Sequence, residues 1–337
     1  MDLYPLTFLP IFKERPWGGR HLAELFGKKL PPSIPIGESW EICDRPEDQS
    51  QVANGPLRGR DLHWLMENRG RELLGRKTVA GERFPWLIKL LDAQDDLSIQ
   101  VHPPASRAAA LGGEPKDEMW YFSSSAANAV IYAGLRRGVT RDEFSQRLAD
   151  GSVPAGCHII STHAGDVMAV PSGRVHALGK GNVVFEIQEN SDTTYRVFDW
   201  NRVGPDGRPR ELHTEASMAS IDFDDFEPPL IDSTPVPHAA GWSRRLIRHR
   251  RFVVDELKIP QARRIPDERR VGQIAVVGVV SGRLQVDGAG QQVTLGPGGF
   301  VLLPAALGAV ELNALEPTVI LRVTPPEANE AFTPLEH

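Results

Sequence analysis

Short apolar segments separated by glycine and proline recur along most of this chain, and they limit its fold more than any other feature. The 337 residues include 31 glycines and 28 prolines, enough to supply turns throughout. Clear examples of such segments are NAVIYAG (128–134), DVMAVPSG (166–173), NVVFEIQ (182–188) and GQIAVVGVVSGRLQVDG (272–288). Many short strands with frequent turn signals favour a sandwich or jelly roll over alternating strands and helices.

Helical signals are few. The segment GRDLHWLMENRGRELLG (59–75) carries leucines at roughly helical spacing. The segment TRDEFSQRLADG (140–151) opens with Thr140 and Glu143 in capping-box spacing and closes on Gly151. We therefore expect a mainly β fold with a few added helices.

A polar, proline-rich stretch divides the chain. Residues 201–240 are interpreted as a connection, which predicts an N-terminal domain over 1–240 and a C-terminal domain over 241–337. A faint repeat supports the division: in each half a glycine is followed six residues later by a proline. Five residues further on stands His176 in the first half and Ala309 in the second. We expect two jelly-roll units, of which only the first holds a metal through this position.

Composition and charge argue against nucleic-acid-binding, membrane-spanning and disulfide-rich proteins. The net charge is −6 without a basic tract, which argues against a nucleic-acid partner. No apolar run approaches the roughly 18 residues that span a bilayer, and the N-terminus lacks a signal-peptide pattern, so we expect a cytoplasmic protein without a membrane partner. Cys43 and Cys157 lie far apart, which indicates neither a disulfide framework nor a thiolate zinc site.

One predicted strand carries three polar side chains on the same face, which indicates a possible site for chemistry. In LSIQVHPP (97–104), Ser98, Gln100 and His102 should project to one side, because side chains alternate along a strand. Upstream, Lys89 lies inside the apolar strand FPWLIKLLDA, an expensive position for a cation unless an anion meets it. Downstream, PKDEMWYF places Lys116 and Glu118 on one face.

Taken singly, each of these residues has an ordinary explanation. His102 before two prolines is typical of a turn, and Glu118 and His176 are typical of solvated positions. Together they lie on β segments of one predicted barrel, so Gln100, His102, Glu118 and His176 form a candidate metal site. Nitrogen and oxygen donors of this kind suit zinc, iron or manganese. Asp192 and Arg196 follow the strand VVFEIQ. They belong either to a polar turn into an edge strand, with Arg196 paired to a surface acid, or to the mouth of the barrel.

Six ordered segments carry a family resemblance. They are FKERPWGG (12–19), GESWEI (37–42), FPWLIKLLDAQDDLSIQVHP (84–103), KDEMWY (116–121), VPSGRVHALGKG (170–181) and IQENSDTTYRVFDWNR (187–202). With them the sequence resembles the type I mannose-6-phosphate isomerase (phosphomannose isomerase) family, zinc-dependent enzymes of the cupin superfamily, in its short bacterial form. Departures include Asp117, where threonine is more usual, and Pro104 and Ala105, where the family commonly has acidic residues.

The resemblance implies a reaction and a set of roles. Mannose 6-phosphate and fructose 6-phosphate would interconvert through a cis-enediol. One Zn²⁺ per chain would be held by Gln100, His102, Glu118 and His176. Lys116, Asp192 and Arg196 would be the catalytic residues, with the choice of base between Lys116 and Asp192 left open. Our own hypothesis adds Lys89 and Ser98 as contacts to the substrate phosphate.

Other readings remain open at this point. One is a different metal-dependent cupin enzyme, a dioxygenase or another sugar isomerase, although an amide ligand such as Gln100 counts against redox iron. Another is a non-catalytic sugar-phosphate-binding cupin. We expect a small-molecule sugar phosphate as the partner, and a monomer or small homo-oligomer.

Overall fold

Antiparallel strands dominate the computed structural model, which describes residues 2–203 and 207–327. The strands of the first half are β1 (Ile11–Gly19), β2 (Ile36–Ile42), β3 (Trp86–Ala93), β4 (Ile99–Val101), β5 (Glu118–Ser125), β6 (Val130–Leu135), β7 (Cys157–Ser161), β8 (Val167–Val170), β9 (His176–Leu178), β10 (Asn182–Glu189) and β11 (Tyr195–Phe198). Those of the second half are β12 (Val236–His238), β13 (Gly241–Arg248), β14 (Val253–Ile259), β15 (Arg264–Pro266), β16 (Ala275–Ser281), β17 (Leu284–Gly288), β18 (Gln291–Leu295), β19 (Phe300–Leu303), β20 (Val310–Ala314) and β21 (Thr318–Thr324). The helices are α1 (His21–Phe26), α2 (Leu62–Leu74), α3 (Ala105–Ala108), α4 (Arg141–Asp150) and α5 (Thr214–Ser220). Residues 328–337 of the predicted C-terminal domain lie outside the described residues.

The described strands form two pairs of sheets with matching topology. The first pair has the orders β1-β2-β3-β10-β5-β8 and β11-β4-β9-β6-β7. The second pair has the orders β12-β13-β14-β21-β16-β19 and β15-β20-β17-β18. The two six-stranded sheets correspond strand by strand, so the predicted mainly β fold with two jelly-roll units is confirmed.

The glycine–proline repeat falls on equivalent places in the two sheet pairs. Gly165 precedes β8 and Gly298 precedes β19, and both have positive φ values, 91° and 69°. Each of these two strands lies at an end of its six-stranded sheet. His176 begins β9, whereas Ala309 directly precedes the corresponding strand β20. The second unit therefore has a methyl group where the first has an imidazole.

The two six-stranded sheets share one apolar core. Because side chains alternate along β3 and β10, Ile88 and Phe185 point to the face that packs with Val254, Leu302 and Leu321 of the second sheet. The opposite face of the first sheet carries a separate cluster against the five-stranded sheet. The halves are therefore joined through buried apolar surface. The domain boundary at residue 240 stays a prediction. Strand β12 lies before this boundary and pairs with β13, which follows it.

Both predicted helices are confirmed by their caps. Helix α2 follows Asp61, whose carboxylate accepts a hydrogen bond from the Trp64 backbone N–H at 2.6 Å. Helix α4 follows Thr140, whose hydroxyl accepts from the Glu143 N–H at 3.2 Å. The Glu143 carboxylate pairs with Arg147. No helix among the described residues is long and apolar enough to cross a membrane.

The interpretation of residues 201–240 as a plain connection was wrong in part. This stretch contains α5 and β12. Helix α5 spans seven residues, TEASMAS, and its short polar sequence has no apolar periodicity to reveal it. It follows His213, whose Nδ1 accepts a hydrogen bond from the Arg196 backbone N–H at 2.9 Å.

Candidate active site

Strand pairing places the predicted site residues side by side. Gln100 on β4 is paired with His176 on β9 and, on its other side, with Arg196 on β11. His102 follows β4 directly, and Glu118 begins β5 in the six-stranded sheet. These two sheets pack against each other, so residues far apart in sequence meet between them.

His102, Glu118 and His176 form a compact, fully enclosed group. The Nε2 atom of His102 lies 3.6 Å from Oε2 of Glu118, and the Nε2 atom of His176 lies 3.6 Å from Oε1. The candidate donor atoms all lie within 4.8 Å of one another, and all three residues are buried. The two 3.6 Å separations are close to those of donors that share one ion at about 2 Å.

Hydrogen bonds fix both imidazoles in the orientation that metal ligands adopt. The Nδ1 atom of His102 lies 2.8 Å from the Thr193 carbonyl oxygen, and that of His176 lies 2.9 Å from the Arg174 carbonyl oxygen. A carbonyl oxygen can only accept, so each Nδ1 carries the proton and each Nε2 presents a lone pair. Burial lowers the pKa of both imidazoles, that of His176 to about 3, which keeps the rings neutral.

The carboxylate of Glu118 is ionised and only partly satisfied. Burial raises its pKa, but the charge of Lys116 and the contacts with His102 and His176 together outweigh this effect and hold the pKa well below the usual range. The Nζ atom of Lys116 lies 2.6 Å from Oε2 of Glu118 and 3.3 Å from Nε2 of His102. The other oxygen, Oε1, is buried, and no hydrogen-bond partner for it exists among the described residues. A buried anionic oxygen facing an imidazole lone pair fits a bound cation.

Gln100 lies beside His176 and is the candidate for a fourth donor. Its amide nitrogen lies 3.2 Å from Nε2 of His176. Rotation of the amide by 180° presents its carbonyl oxygen at the same place, so the side chain is able to act as a fourth donor. The donor set is two imidazoles, a carboxylate and an amide oxygen, which fits a divalent ion of the zinc, iron or manganese type.

A cavity of about 460 Å³ adjoins the group. Six of the nine predicted site residues line it, namely Lys89, Ser98, Gln100, Lys116, Asp192 and Arg196. Gln100 and Lys116 also contact the buried histidines and Glu118, so they link the cavity to the candidate metal group. Its volume and polar lining suit a small, charged molecule.

Sequence reasoning missed two buried carboxylates of this cavity. The Nζ atom of Lys89 lies 3.1 Å from Oε1 of Glu186 and 3.8 Å from Oε2 of Glu38. The indole Nε1 of Trp120 donates to Oε2 of Glu186 at 3.1 Å. These carboxylates are the anions that the buried position of Lys89 requires. A similar signal was available for Glu186, an acid within the largely apolar strand VVFEIQ, but not for Glu38, because GESWEI also contains Ser39 and a second acid, Glu41.

The charges of Lys89, Glu186 and Glu38 shift one another's pKa values. Burial would lower the pKa of Lys89, but Glu186 and Glu38 raise it above the usual range. Burial raises the pKa of Glu186 more than Lys89 lowers it. Burial also raises the pKa of Glu38, but the nearby charges of Lys89 and Arg15 prevail and lower it to about 2.

A Glu38→Gln variant is expected to flatten the acid-induced loss of stability. A carboxyl whose folded-state pKa is about 2, against an ordinary value of 4.5, contributes stability that is present above pH 4.5 and lost as the pH falls toward 2. The full contribution is about 3 kcal/mol, most of it lost by pH 3. Urea unfolding at pH 6 and pH 3 checks this, with the exposed Glu24→Gln as control. Equal pH dependence in wild type and Glu38→Gln would refute the coupling.

Arg196 lies where the cavity meets the β11 strand. Its NH1 donates to the Glu211 carbonyl oxygen at 2.7 Å, while its buried Nε has no hydrogen-bond partner among the described residues. Arg15 and Arg210 line the same cavity. Sequence reasoning did not identify either of these two, because both lie in polar segments where an arginine is unremarkable.

Comparison with known proteins identifies the family of this chain. The family model for the catalytic domain of type I phosphomannose isomerase matches residues 6–142. The Bacillus subtilis protein named "Probable mannose-6-phosphate isomerase GmuF" is 36% identical over 312 residues, covering 90% of this chain and 95% of that protein. The mannose-6-phosphate isomerase ManA of the same organism is 41% identical over 224 residues, covering 66% of this chain and 69% of that protein.

Solved structures extend the similarity over the whole fold. The crystal structure of the mannose 6-phosphate isomerase from Bacillus subtilis superposes with a TM-score of 0.86 at 31% identity, covering 95% of this chain and 99% of that one. The apo form of the Salmonella typhimurium enzyme has a TM-score of 0.73 at 17% identity, covering 96% and 100%, and supports the fold alone. On its identity to these relatives over most of its length, the chain belongs to the type I phosphomannose isomerase family, whose members are aldose–ketose isomerases.

Proposed function

We propose that this chain interconverts mannose 6-phosphate and fructose 6-phosphate through a cis-enediol, with one zinc ion held by Gln100, His102, Glu118 and His176. The observation that carries the proposal is the buried His102–Glu118–His176 group, which meets a cavity lined by both cationic and acidic side chains. Membership of the isomerase family supports the choice of substrate.

The residues present suit a Lewis-acid centre. When bound, the divalent ion stabilises negative charge on substrate oxygens. Glu118 supplies the single formal charge of the donor set, so about one positive charge is left over. Both imidazoles are preset with their Nε2 lone pairs turned inward, which lowers the cost of assembling the site.

Proton transfer between C1 and C2 of the sugar requires a base and a group that returns the proton. Lys116 lines the cavity and contacts both Glu118 and His102, so it lies at the boundary between donor set and substrate space. Asp192 lines the cavity from an exposed position. Both remain candidates for the base, and Lys116 is favoured by its contact with the donor group.

Arg196 suits the developing negative charge. Arg196 lines the cavity, and its planar, permanently charged guanidinium suits an enediolate oxygen or a phosphate. We assign it to one of these two anions.

Lys89 and Ser98 are proposed as substrate contacts, with the phosphate as their target. Both line the cavity and both are buried. A Lys89→Met variant is expected to raise the KM for mannose 6-phosphate about 10- to 100-fold, since a charge-assisted hydrogen bond is worth about 1.5–3 kcal/mol, and to lower kcat less. Steady-state kinetics check this, with the exposed Lys180→Met as control. An unchanged KM would remove Lys89 from the phosphate site.

The reaction itself is tested by incubating the purified, zinc-supplied chain with mannose 6-phosphate in D₂O. Formation of fructose 6-phosphate that carries deuterium at C1 is expected, because the base that removes the C2 proton exchanges it with D₂O before a proton is returned to C1. Binding without turnover would instead support a non-catalytic sugar-phosphate-binding protein. Consumption of oxygen would support a dioxygenase.

A further inference from the structure

Asp117 departs from the residue usual in the family, and it lies between two residues of the candidate active site. Its neighbours Lys116 and Glu118 point into the cavity and the donor group, so Asp117 points the other way. It is buried, and its Oδ1 accepts a hydrogen bond from the Ser172 backbone N–H at 2.7 Å. The Ser172 hydroxyl in turn accepts from the Lys116 N–H at 2.9 Å. This pair of bonds ties the start of β5 to the turn that leads to His176.

The second carboxylate oxygen of Asp117 faces the C-terminal half. Nε2 of His249 lies 3.0 Å from Oδ2, and NH2 of Arg250 donates to the same oxygen at 2.9 Å. Nδ1 of His249 accepts a hydrogen bond from the Arg251 N–H at 3.3 Å, so Nε2 carries the proton and donates to Asp117. Residues 249–251 form the turn between β13 and β14.

A second carboxylate, that of Glu189, adds to this contact between the start of β5 and the turn at residues 249–251. The backbone of Asp117 exchanges two hydrogen bonds with Glu189: its N–H donates to Oε2 at 3.1 Å, and its carbonyl accepts from the Glu189 N–H at 3.0 Å. The Glu189 side chain accepts from Nε of Arg251 at 2.9 Å. Three consecutive residues of the C-terminal turn thus hold the segment that carries Lys116 and Glu118.

We propose that Asp117 is a positioning residue, through which His249 and Arg250 of the C-terminal half hold Lys116 and Glu118 at the donor group and the cavity. This inference rests on the function proposed above and deepens it. The C-terminal unit has no histidine at the position that corresponds to His176. Its contacts with Asp117 give this unit a role in the chemistry of the first unit. A displacement of about 1 Å at a catalytic group is enough to reduce turnover about 100-fold.

The test compares variants on the C-terminal side, which leave the N-terminal half unaltered. In a His249→Ala/Arg250→Ala variant we expect kcat to fall about tenfold or more and the zinc affinity, measured by chelator competition, to fall about tenfold, as for other residues that orient ligands. The KM for mannose 6-phosphate should change by less than about threefold, because no phosphate contact is removed. His249→Gln, whose amide offers a donor near the position of Nε2, should restore most of the loss that His249→Ala causes.

Arg245→Ala is the matched control. Arg245 lies on β13, its side chain is 44% exposed against 46% for Arg250, and its partner Asp255 belongs to the C-terminal half and also pairs with Arg322. Thermal unfolding of all variants separates positioning from loss of fold. If the double variant unfolds, Asp117→Asn replaces it, because asparagine keeps an acceptor for Ser172 and loses the one for His249.

Kinetics and zinc affinity equal to those of Arg245→Ala would overturn the inference. A wild-type chain that binds zinc but does not isomerise mannose 6-phosphate would contradict the proposed function instead. In that event the zinc affinities alone still decide the role of Asp117.

Discussion

A His102→Ala variant is expected to lose about a thousandfold or more in kcat/KM for mannose 6-phosphate while the fold survives. The imidazole is one of two nitrogen donors of the buried group, and its Nδ1–H bond to Thr193 fixes its orientation. Stabilisation of transition-state charge by a bound ion is worth several kcal/mol, and about 4 kcal/mol corresponds to about a thousandfold in rate.

The measurement combines kinetics with metal content after dialysis. His102→Ala should retain less zinc than wild type and unfold in a single transition at a similar temperature. His163→Ala serves as control, since that histidine is 81% exposed and lies outside the cavity. Full activity in His102→Ala would remove this residue from the donor set.

A Lys116→Met variant should reduce kcat by about 10²–10⁴-fold, the usual contribution of a positioned acid or base. Methionine keeps the length of the side chain but has no proton to transfer, and it removes the ammonium beside Glu118. The KM should change less than kcat, because the group acts mainly in the transition state.

Asp192→Asn gives the decisive comparison for the identity of the base. A larger kcat loss in Lys116→Met than in Asp192→Asn assigns proton transfer to Lys116, and the reverse order assigns it to Asp192. Retention of full kcat in Lys116→Met would contradict the proposed role of this lysine. The exposed Lys180→Met controls for loss of a positive charge.

Much of the site was predictable from strand alternation. The period of two placed Ser98 and Gln100 on one face, and both line the cavity. The expense of burying a lone cation predicted an anion near Lys89, and Glu186 and Glu38 fill that role. The identity of these partners was not predictable, because the pairing of β3 with β2 and β10 depends on contacts distant in sequence.

Contacts between the halves were the hardest to predict. Nothing in the pattern around Ile88 or Leu302 distinguishes a face buried against another sheet from one buried within its own barrel. The polar junction had the same difficulty: Asp117 was visible only as a departure from the family pattern, and its partners His249 and Arg250 lie 132 and 133 positions further along the chain.

The zinc dependence of the reaction is measured by following fructose 6-phosphate production from mannose 6-phosphate before chelation, after prolonged chelation, and after return of zinc. We expect that exhaustive metal removal abolishes turnover, that the stripped chain stays folded, and that one equivalent of zinc per chain restores the activity. Turnover that persists in protein shown to be free of metal would contradict the assignment of Gln100, His102, Glu118 and His176 to a catalytic zinc site.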